Sequence, residues 1–184
     1  MSLQLVIGPM FSGKSSYLLS SIQRYKEINW PTFVITSVLD KRYSEETKII
    51  NHNKDYCMAD IAVENLFDAM IHAKFLDAKV VIVEEAQFYS NLVDFIIMAV
   101  DVHKKHVIVA GLDGDVNREP FGDVLKLVPH ADSIIKLKAL CKRCNDGTEA
   151  LFTFKKSNNT SVVDVGGSDK YEALCRKHYI IEIA

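Results

Sequence analysis

Short, unbroken apolar runs alternate along the chain with segments of helical periodicity. Leu3–Ile7 is too short for a helix and too uniformly apolar for a strand with one wet face, so it predicts a strand buried on both sides. Thr32–Ser37, Lys79–Glu85, His106–Ala110 and Ser133–Leu137 repeat the type. Between the first two, Tyr17, Leu18, Ile22, Tyr25 and Ile28 recur at helical spacing, and Pro31 blocks continuation, which predicts a helix from Gly13 to about Ile28. Strand, crossover helix, strand is right-handed in nearly all cases and builds a parallel sheet. Leu66, Phe67, Met70 and Ile71 form a core-facing stripe on a predicted helix over Glu64–Lys74. Leu92, Phe95, Ile96 and Ala99 do the same over Asn91–Lys104, with His103 and His106 as ordinary polar residues near its end. The polar stretch from Asp40 to about Asp55 has no clear helical period.

Composition narrows the setting of this α/β pattern. At 184 residues and 48% hydrophobic content the chain suits one globular domain with a small appendage. Lys and Arg number 22 against 24 Asp and Glu, a net charge of -2, so no general attraction to nucleic acid or an anionic membrane is expected. No apolar run approaches a membrane span, and the N-terminus lacks the basic-then-apolar layout of a signal peptide, so a cytoplasmic protein is expected.

The first strand runs directly into Gly8-Pro9-Met10-Phe11-Ser12-Gly13-Lys14-Ser15, the G-x-x-x-x-G-K-[ST] phosphate-binding loop, placed between a strand and a helix as its mechanism demands. Its glycines let the backbone aim N–H groups at phosphate oxygens, and the helix N-terminus adds a favourable dipole. Lys14 would bridge the terminal phosphates and Ser15 would offer its hydroxyl to magnesium. The run Val80–Val83 closes on Glu84 and Glu85, and a buried strand ending in a carboxylate is what the second element of a nucleotide site requires. Adjacent acids on an extended strand point to opposite sides, so one faces the metal and the other a phosphate acceptor, whose proton it takes as general base. Gln87 and Phe88 continue into the same loop; the ring stacks on a flat substrate or belongs to the core. Asp40 and Arg42 follow the second strand, either as a solvated turn or as phosphate contacts at the carboxyl end of the sheet.

Towards the C-terminus the chemistry changes. Cys141-Lys142-Arg143-Cys144 and Cys175-Arg176-Lys177-His178 form C-x-x-C and C-x-x-H, four ligands for a closed, structural tetrahedral Zn²⁺ site. Cys57 stands apart as a small hydrophobe. Between the pairs, Ser157-Asn158-Asn159 predicts a turn joining strands Ala150–Lys155 and Thr160–Val165, a ribbon clamped at its base by zinc.

Together these stretches resemble the type II thymidine kinases, the small cytosolic and viral form. The resemblance runs through Gly8–Ser15, Asp40-Lys41-Arg42-Tyr43-Ser44, Glu84-Glu85-Ala86-Gln87-Phe88, Leu112-Asp113-Gly114, Pro120-Phe121-Gly122, both zinc pairs and Gly166-Gly167-Ser168-Asp169-Lys170-Tyr171. It implies a P-loop NTPase-like parallel sheet flanked by helices over residues 1–139, and a small zinc-bound β-ribbon, or lasso, over 140–184. It implies transfer of the ATP γ-phosphoryl group to the 5′-hydroxyl of thymidine, with Glu85 as base, assisted by Lys14 and Arg42. ATP and its phosphates would be held by Gly8–Ser15, Asp40, Lys41, Arg42, Glu84 and Gln87, and magnesium by Ser15 and Glu84. Met10, Phe88, Leu112, Val116, Phe121 and Tyr171 match positions around base and sugar, and Val162, Val163, Asp164, Val165 and Gly166 match the lasso that offers backbone groups to thymine. The family also implies a homotetramer inhibited by dTTP.

Three positions depart from the family pattern: Glu84 stands for a usual aspartate, Val116 for a phenylalanine of the pocket wall, and Lys138 for a threonine near the thymine methyl. The rival reading is a nucleic-acid-stimulated ATPase whose zinc ribbon presents Lys142, Arg143, Arg176 and Lys177 as a basic tip. The net charge of -2 and the lack of a broader basic stripe weigh against it.

Overall fold

The computed structural model describes residues 1–39, 48–50, 56–156 and 166–183. In chain order the elements are β1 Ser2–Ile7, α1 Lys14–Glu27, β2 Thr32–Ser37, β3 Lys48–Ile50, β4 Tyr56–Met58, β5 Ile61–Val63, α2 Phe67–Met70, α3 Ala73–Asp77, β6 Val80–Val83 and α4 Leu92–Ile97. They continue as β7 His106–Gly111, β8 Ser133–Lys136, β9 Ala139–Leu140, β10 Glu149–Ala150, β11 Phe152–Lys155, β12 Tyr171–Leu174 and α5 Arg176–Ile183.

The main sheet is six-stranded in the order β5-β2-β6-β7-β1-β8, and every pairing in it is parallel. Both faces are covered, and the period-two geometry of a strand sorts each apolar run between them. Leu3, Leu5 and Ile7, Phe33 and Ile35, Val81 and Val83, and Val107 and Val109 fill one core with Phe75, Phe95 and Ile96. Val6, Val34, Val80, Ile82, Ile108 and Ala110 fill the other with Leu18 and Ile22 of α1. That is why these strands read as continuous apolar runs rather than alternating ones. Ile7 lies level with Gly111 on one side and Lys136 on the other, so the loops after β1, β7 and β8 leave the sheet at one edge. That is the edge at which open parallel sheets bind ligands.

Three expectations need correction. Helix α1 runs to Glu27 with Ile28 as its C-cap, as expected, but Ile28, expected on the apolar stripe, lies largely outside the core. The helix expected over Glu64–Lys74 is two short ones: Ile71, expected in the core stripe, is 84% exposed, and His72 turns extended to cap α3, its Nδ1 accepting the Lys74 N–H at 3.2 Å. The break re-aims the chain so that Phe75 is fully buried, edge-on to Phe33 at 6.0 Å. The strand expected to reach Glu85 stops at Val83, and Glu85 adopts left-handed backbone, so strand alternation does not set the direction of the two acids. In addition, β11 pairs antiparallel with β12, a strand not foreseen; the ribbon expected between Ala150–Lys155 and Thr160–Val165 lies partly outside the described residues.

The helix expected over Asn91–Lys104 is present as α4 and a wider π turn over Met98–Val102, with Leu92, Phe95, Ile96 and Ala99 buried. A third apolar cluster begins at Ala139 and gathers Ala150, Leu174 and Tyr179 around the cysteine pairs. No helix among the described residues is long and apolar enough to cross a membrane.

Candidate active site and metal centre

The glycine loop is shaped by what surrounds it. Gly8 has φ +151°, and a Cβ there would lie 2.4 Å from the Leu137 carbonyl oxygen, so only glycine lets the loop start this close to the end of β8. Phe11, at φ 65°, and Gly13, at φ 87°, complete the curl into α1. That helix has no acidic side chain in its first turn, which leaves its N-terminal dipole to an incoming anion. The Lys14 ammonium lies over the loop, donating to the carbonyls of Gly8 at 3.2 Å and Pro9 at 2.8 Å. The Ser15 hydroxyl donates to Glu84 Oε1 at 2.6 Å, bringing together the two groups expected to hold magnesium. Hydroxyl and carboxylate are hard oxygen donors of the kind that ion takes, so the pair fits it.

Glu84 and Glu85 are both buried, 4% and 8% exposed, yet each has its own partner. Glu85 has φ 52° and opens the turn Ala86–Phe88, with the Phe88 N–H donating to the Glu85 carbonyl at 3.1 Å. The Gln87 side-chain amide donates to Glu85 Oε2, and its carbonyl oxygen accepts the Leu112 N–H at 3.1 Å. Phe88 and Phe121 meet edge-on at 6.0 Å, both partly exposed, so the aromatic pair forms part of a wall and not only core.

The C-terminal segment reaches the same loop. The Met10 N–H donates to Thr153 Oγ1 at 3.0 Å, and Phe11 packs against the third apolar cluster. The Tyr179 hydroxyl donates to the Val116 carbonyl at 2.6 Å, and the Arg118 guanidinium lies 5.0 Å from the Tyr179 ring centre. Thr153 lies in no motif, and Arg118 and Tyr179 stand just outside Pro120–Gly122 and Cys175–His178. Tyr171 is buried in β12, and Gly166 lies against the Lys170 side chain. Lys138 swings to the surface, where it pairs with Glu149 at 2.5 Å. Asp40, Lys41 and Arg42, and Val162, Val163, Asp164 and Val165, lie outside the described residues.

Cys141, Cys144, Cys175 and His178 converge, with ligand atoms all within 4.8 Å of one another. Four of the six spacings match a zinc tetrahedron. Metal–ligand bonds of about 2.3 Å to sulfur and about 2.0–2.1 Å to nitrogen place ligand atoms about 3.8 Å apart for two sulfurs and about 3.5 Å apart for sulfur and nitrogen. Cys144 and Cys175 sulfurs are 3.8 Å apart, and His178 Nδ1 lies 3.5, 3.3 and 3.5 Å from Cys141, Cys144 and Cys175. The residues fit the ion, with Nδ1 as the imidazole ligand. Without metal the thiols do not ionise alike. Burial would raise Cys141, but the backbone N–H groups of Cys175 and Cys144 and the His178 side chain outweigh it and bring it to about 6. Burial and the neighbouring Cys141 and Cys175 sulfurs push Cys144 up to about 11. A second thiolate beside the first is unfavourable until a cation is shared between them.

The basic tip is weaker than its sequence suggests. Arg143 is bound by Glu172 at 2.6 and 3.0 Å and by Glu182 at 2.6 Å, and Arg176 lies over the Phe152 ring at 5.0 Å.

The family model described as thymidine kinase matches residues 1–179. A thymidine kinase of Monkeypox virus is 36% identical over 178 residues, covering 97% of this chain and 96% of the viral protein. Thymidine kinase a of Arabidopsis thaliana is 39% identical over 186 residues, 97% of this chain and 75% of the plant protein. A thymidine kinase of Oryza sativa subsp. japonica is 36% identical over 181 residues, 97% of this chain and 66% of that protein.

Proposed function

The chain belongs to the thymidine kinase family, and we propose that this kinase transfers the γ-phosphoryl group of ATP to the 5′-hydroxyl of thymidine, giving dTMP and ADP. The observation that carries the reading is the buried Glu85 carboxylate, held by Gln87 on a turn that shares the Phe88–Phe121 wall, one residue from the acid bound to the loop serine. A phosphate loop alone binds a nucleoside triphosphate; a second, separately held carboxylate beside it supplies a base for an acceptor hydroxyl.

In this reading Lys14 leaves the Gly8 and Pro9 carbonyls for the terminal phosphates, and the N–H groups from Gly13 onward cradle them. Ser15 and Glu84 would hold magnesium, which neutralises developing charge on the phosphates when bound. Glu85 accepts the 5′-hydroxyl proton while Phe88, Phe121, Leu112 and Met10 hold the neutral base between apolar surfaces. Asp40, Lys41 and Arg42 beside the phosphates, and residues 162–166 over the thymine edge, follow from the resemblance. So do cytoplasmic location, a homotetramer and inhibition by dTTP.

We further propose that residues 1–139 form the nucleotide-binding unit and 140–184 the zinc-anchored lasso; the separate apolar cluster around the Cys₃His set supports the division. Glu84, Val116 and Lys138 bear on substrate breadth more than on reaction type. The test is a nucleoside-panel assay on folded, zinc-loaded protein with ATP and magnesium. Thymidine-dependent ADP release with dTMP as product is expected. ADP release that is independent of nucleoside but stimulated by DNA would replace this reading with an ATPase.

A further inference from the structure

We propose that Gln87 is a positioning residue for the reaction: its side-chain amide ties the Glu85 carboxylate to the nucleoside wall at Leu112 and fixes the direction from which the base meets the acceptor. The inference rests on the reading of Glu85 as general base.

The network around Gln87 admits one arrangement. The Leu112 main-chain N–H is a donor and must face the amide oxygen, at 3.1 Å, while the Glu85 carboxylate is an acceptor and must face the amide nitrogen. Turning the amide over would set oxygen against carboxylate and NH₂ against N–H. A residue here must therefore donate on one side and accept on the other, which Met, Leu and Glu do not. Gln87 is 4% exposed, so neither bond is traded freely for water.

Two other segments are cut away to make room for it. A Cβ on Gly111 would come within 3.2 Å of Gln87 Oε1, and a Cβ on Gly122 within 2.3 Å of the Gln87 carbonyl oxygen. Side chain and main chain of one residue are thus seated by glycines at the end of β7 and in the Pro120–Gly122 loop. With both ends of its amide engaged inside the wall, Gln87 is placed to act through Glu85, whereas the resemblance groups it with the ATP contacts. Glu85 itself sits in left-handed backbone, which by itself gives its side chain no strand-like direction; the hydrogen bond from Gln87 helps to give it one.

Two variants test this, Gln87→Glu and Gln87→Met, with kcat expressed per zinc-loaded protein and folding followed by thermal melting. The first keeps length and an acceptor for Leu112 but turns the contact with Glu85 repulsive; the second is close in size and removes both bonds. Expected is a fall in kcat of about 10- to 100-fold in each, with the ATP KM changed by less than about threefold, because a charge-assisted bond to the base is lost while the phosphate loop is untouched. A cycle with Glu85→Gln separates positioning from packing. In the Glu85→Gln background Gln87→Met should cost less than about threefold more, since a residue acting through Glu85 has nothing left to position.

Losses that multiply across the cycle, or wild-type kcat in both variants, overturn the inference. A wild-type protein inactive on thymidine would instead overturn the kinase reading, and full activity in Glu85→Gln the assignment of the base.

Discussion

Replacing Gly122 with alanine tests how tightly the site is built. Gly122 has φ 58°, and the added Cβ would meet the Gln87 carbonyl oxygen at 2.3 Å and its carbonyl carbon at 3.1 Å. These are main-chain atoms, so the strain cannot be relieved by rotating a side chain; either the Gln87 turn or the Phe121 segment must move by several tenths of an ångström. The left-handed backbone costs an alanine about 1 kcal/mol. The overlap adds about 1–3 kcal/mol. Gly147 supplies the control: it has φ 91°, and a Cβ there meets nothing within 4 Å, so Gly147→Ala carries only the backbone cost. At about 2–4 °C per kcal/mol for a chain of this size, Gly147→Ala should lower Tm by a few degrees and Gly122→Ala by roughly 5–15 °C. Displacing Gln87 should also lower kcat by about tenfold or more, since sub-ångström misplacement of a base is costly. Thermal melting with steady-state thymidine kinetics reads both. Gly122→Ala melting no lower than Gly147→Ala, with full kcat, would show that the Gln87 turn is not held by this contact.

Other outcomes follow from the contacts between the C-terminal segment and the glycine loop. Thr153→Val keeps the shape but leaves the Met10 N–H without its 3.0 Å acceptor, which should cost about 1–2 kcal/mol and raise the ATP KM more than it lowers kcat; an unchanged KM would detach Thr153 from the loop's geometry. Elemental analysis should find one zinc per chain, and Cys141→Ser or a strong chelator should lower Tm and ATP affinity together, because the cluster carrying Phe11 loses its anchor. Metal-free protein with unchanged melting would count against a structural zinc.

Much of the fold was legible because strands buried on both faces leave unbroken apolar runs: β1, β2, β6, β7 and β8 all lie where those runs stand. Elements without such a run were missed. Tyr171–Leu174 is a strand whose buried Glu172 is neutralised by Arg143 from another segment, and no local pattern reveals a partner so distant in the chain. The Glu64–Lys74 helix misled because the apolar stripe is real for Leu66 and Phe67, while the chain must turn at His72 to bury Phe75. In the site, motif residues with fixed spacing converged as expected: the glycine loop on Glu84, and the four zinc ligands on one another. The separation of Glu84 from Glu85 was anticipated for the wrong reason. It comes from left-handed backbone at Glu85 and a side-chain bond from Gln87, not from strand alternation. Thr153, Arg118 and Tyr179 meet the loop and its surroundings through tertiary contacts that no motif encodes.

In the proposed reaction Glu85 takes the proton of a nucleoside hydroxyl. Glu85→Gln keeps the side chain's size while removing its basicity, so the measurement is phosphoryl transfer from labelled ATP to thymidine, made alongside calorimetric thymidine binding on the same folded, zinc-loaded protein. Near-complete loss of dTMP formation is expected, by about 100-fold or more, with thymidine binding still measurable. Turnover in Glu85→Gln within a few-fold of wild type would contradict it.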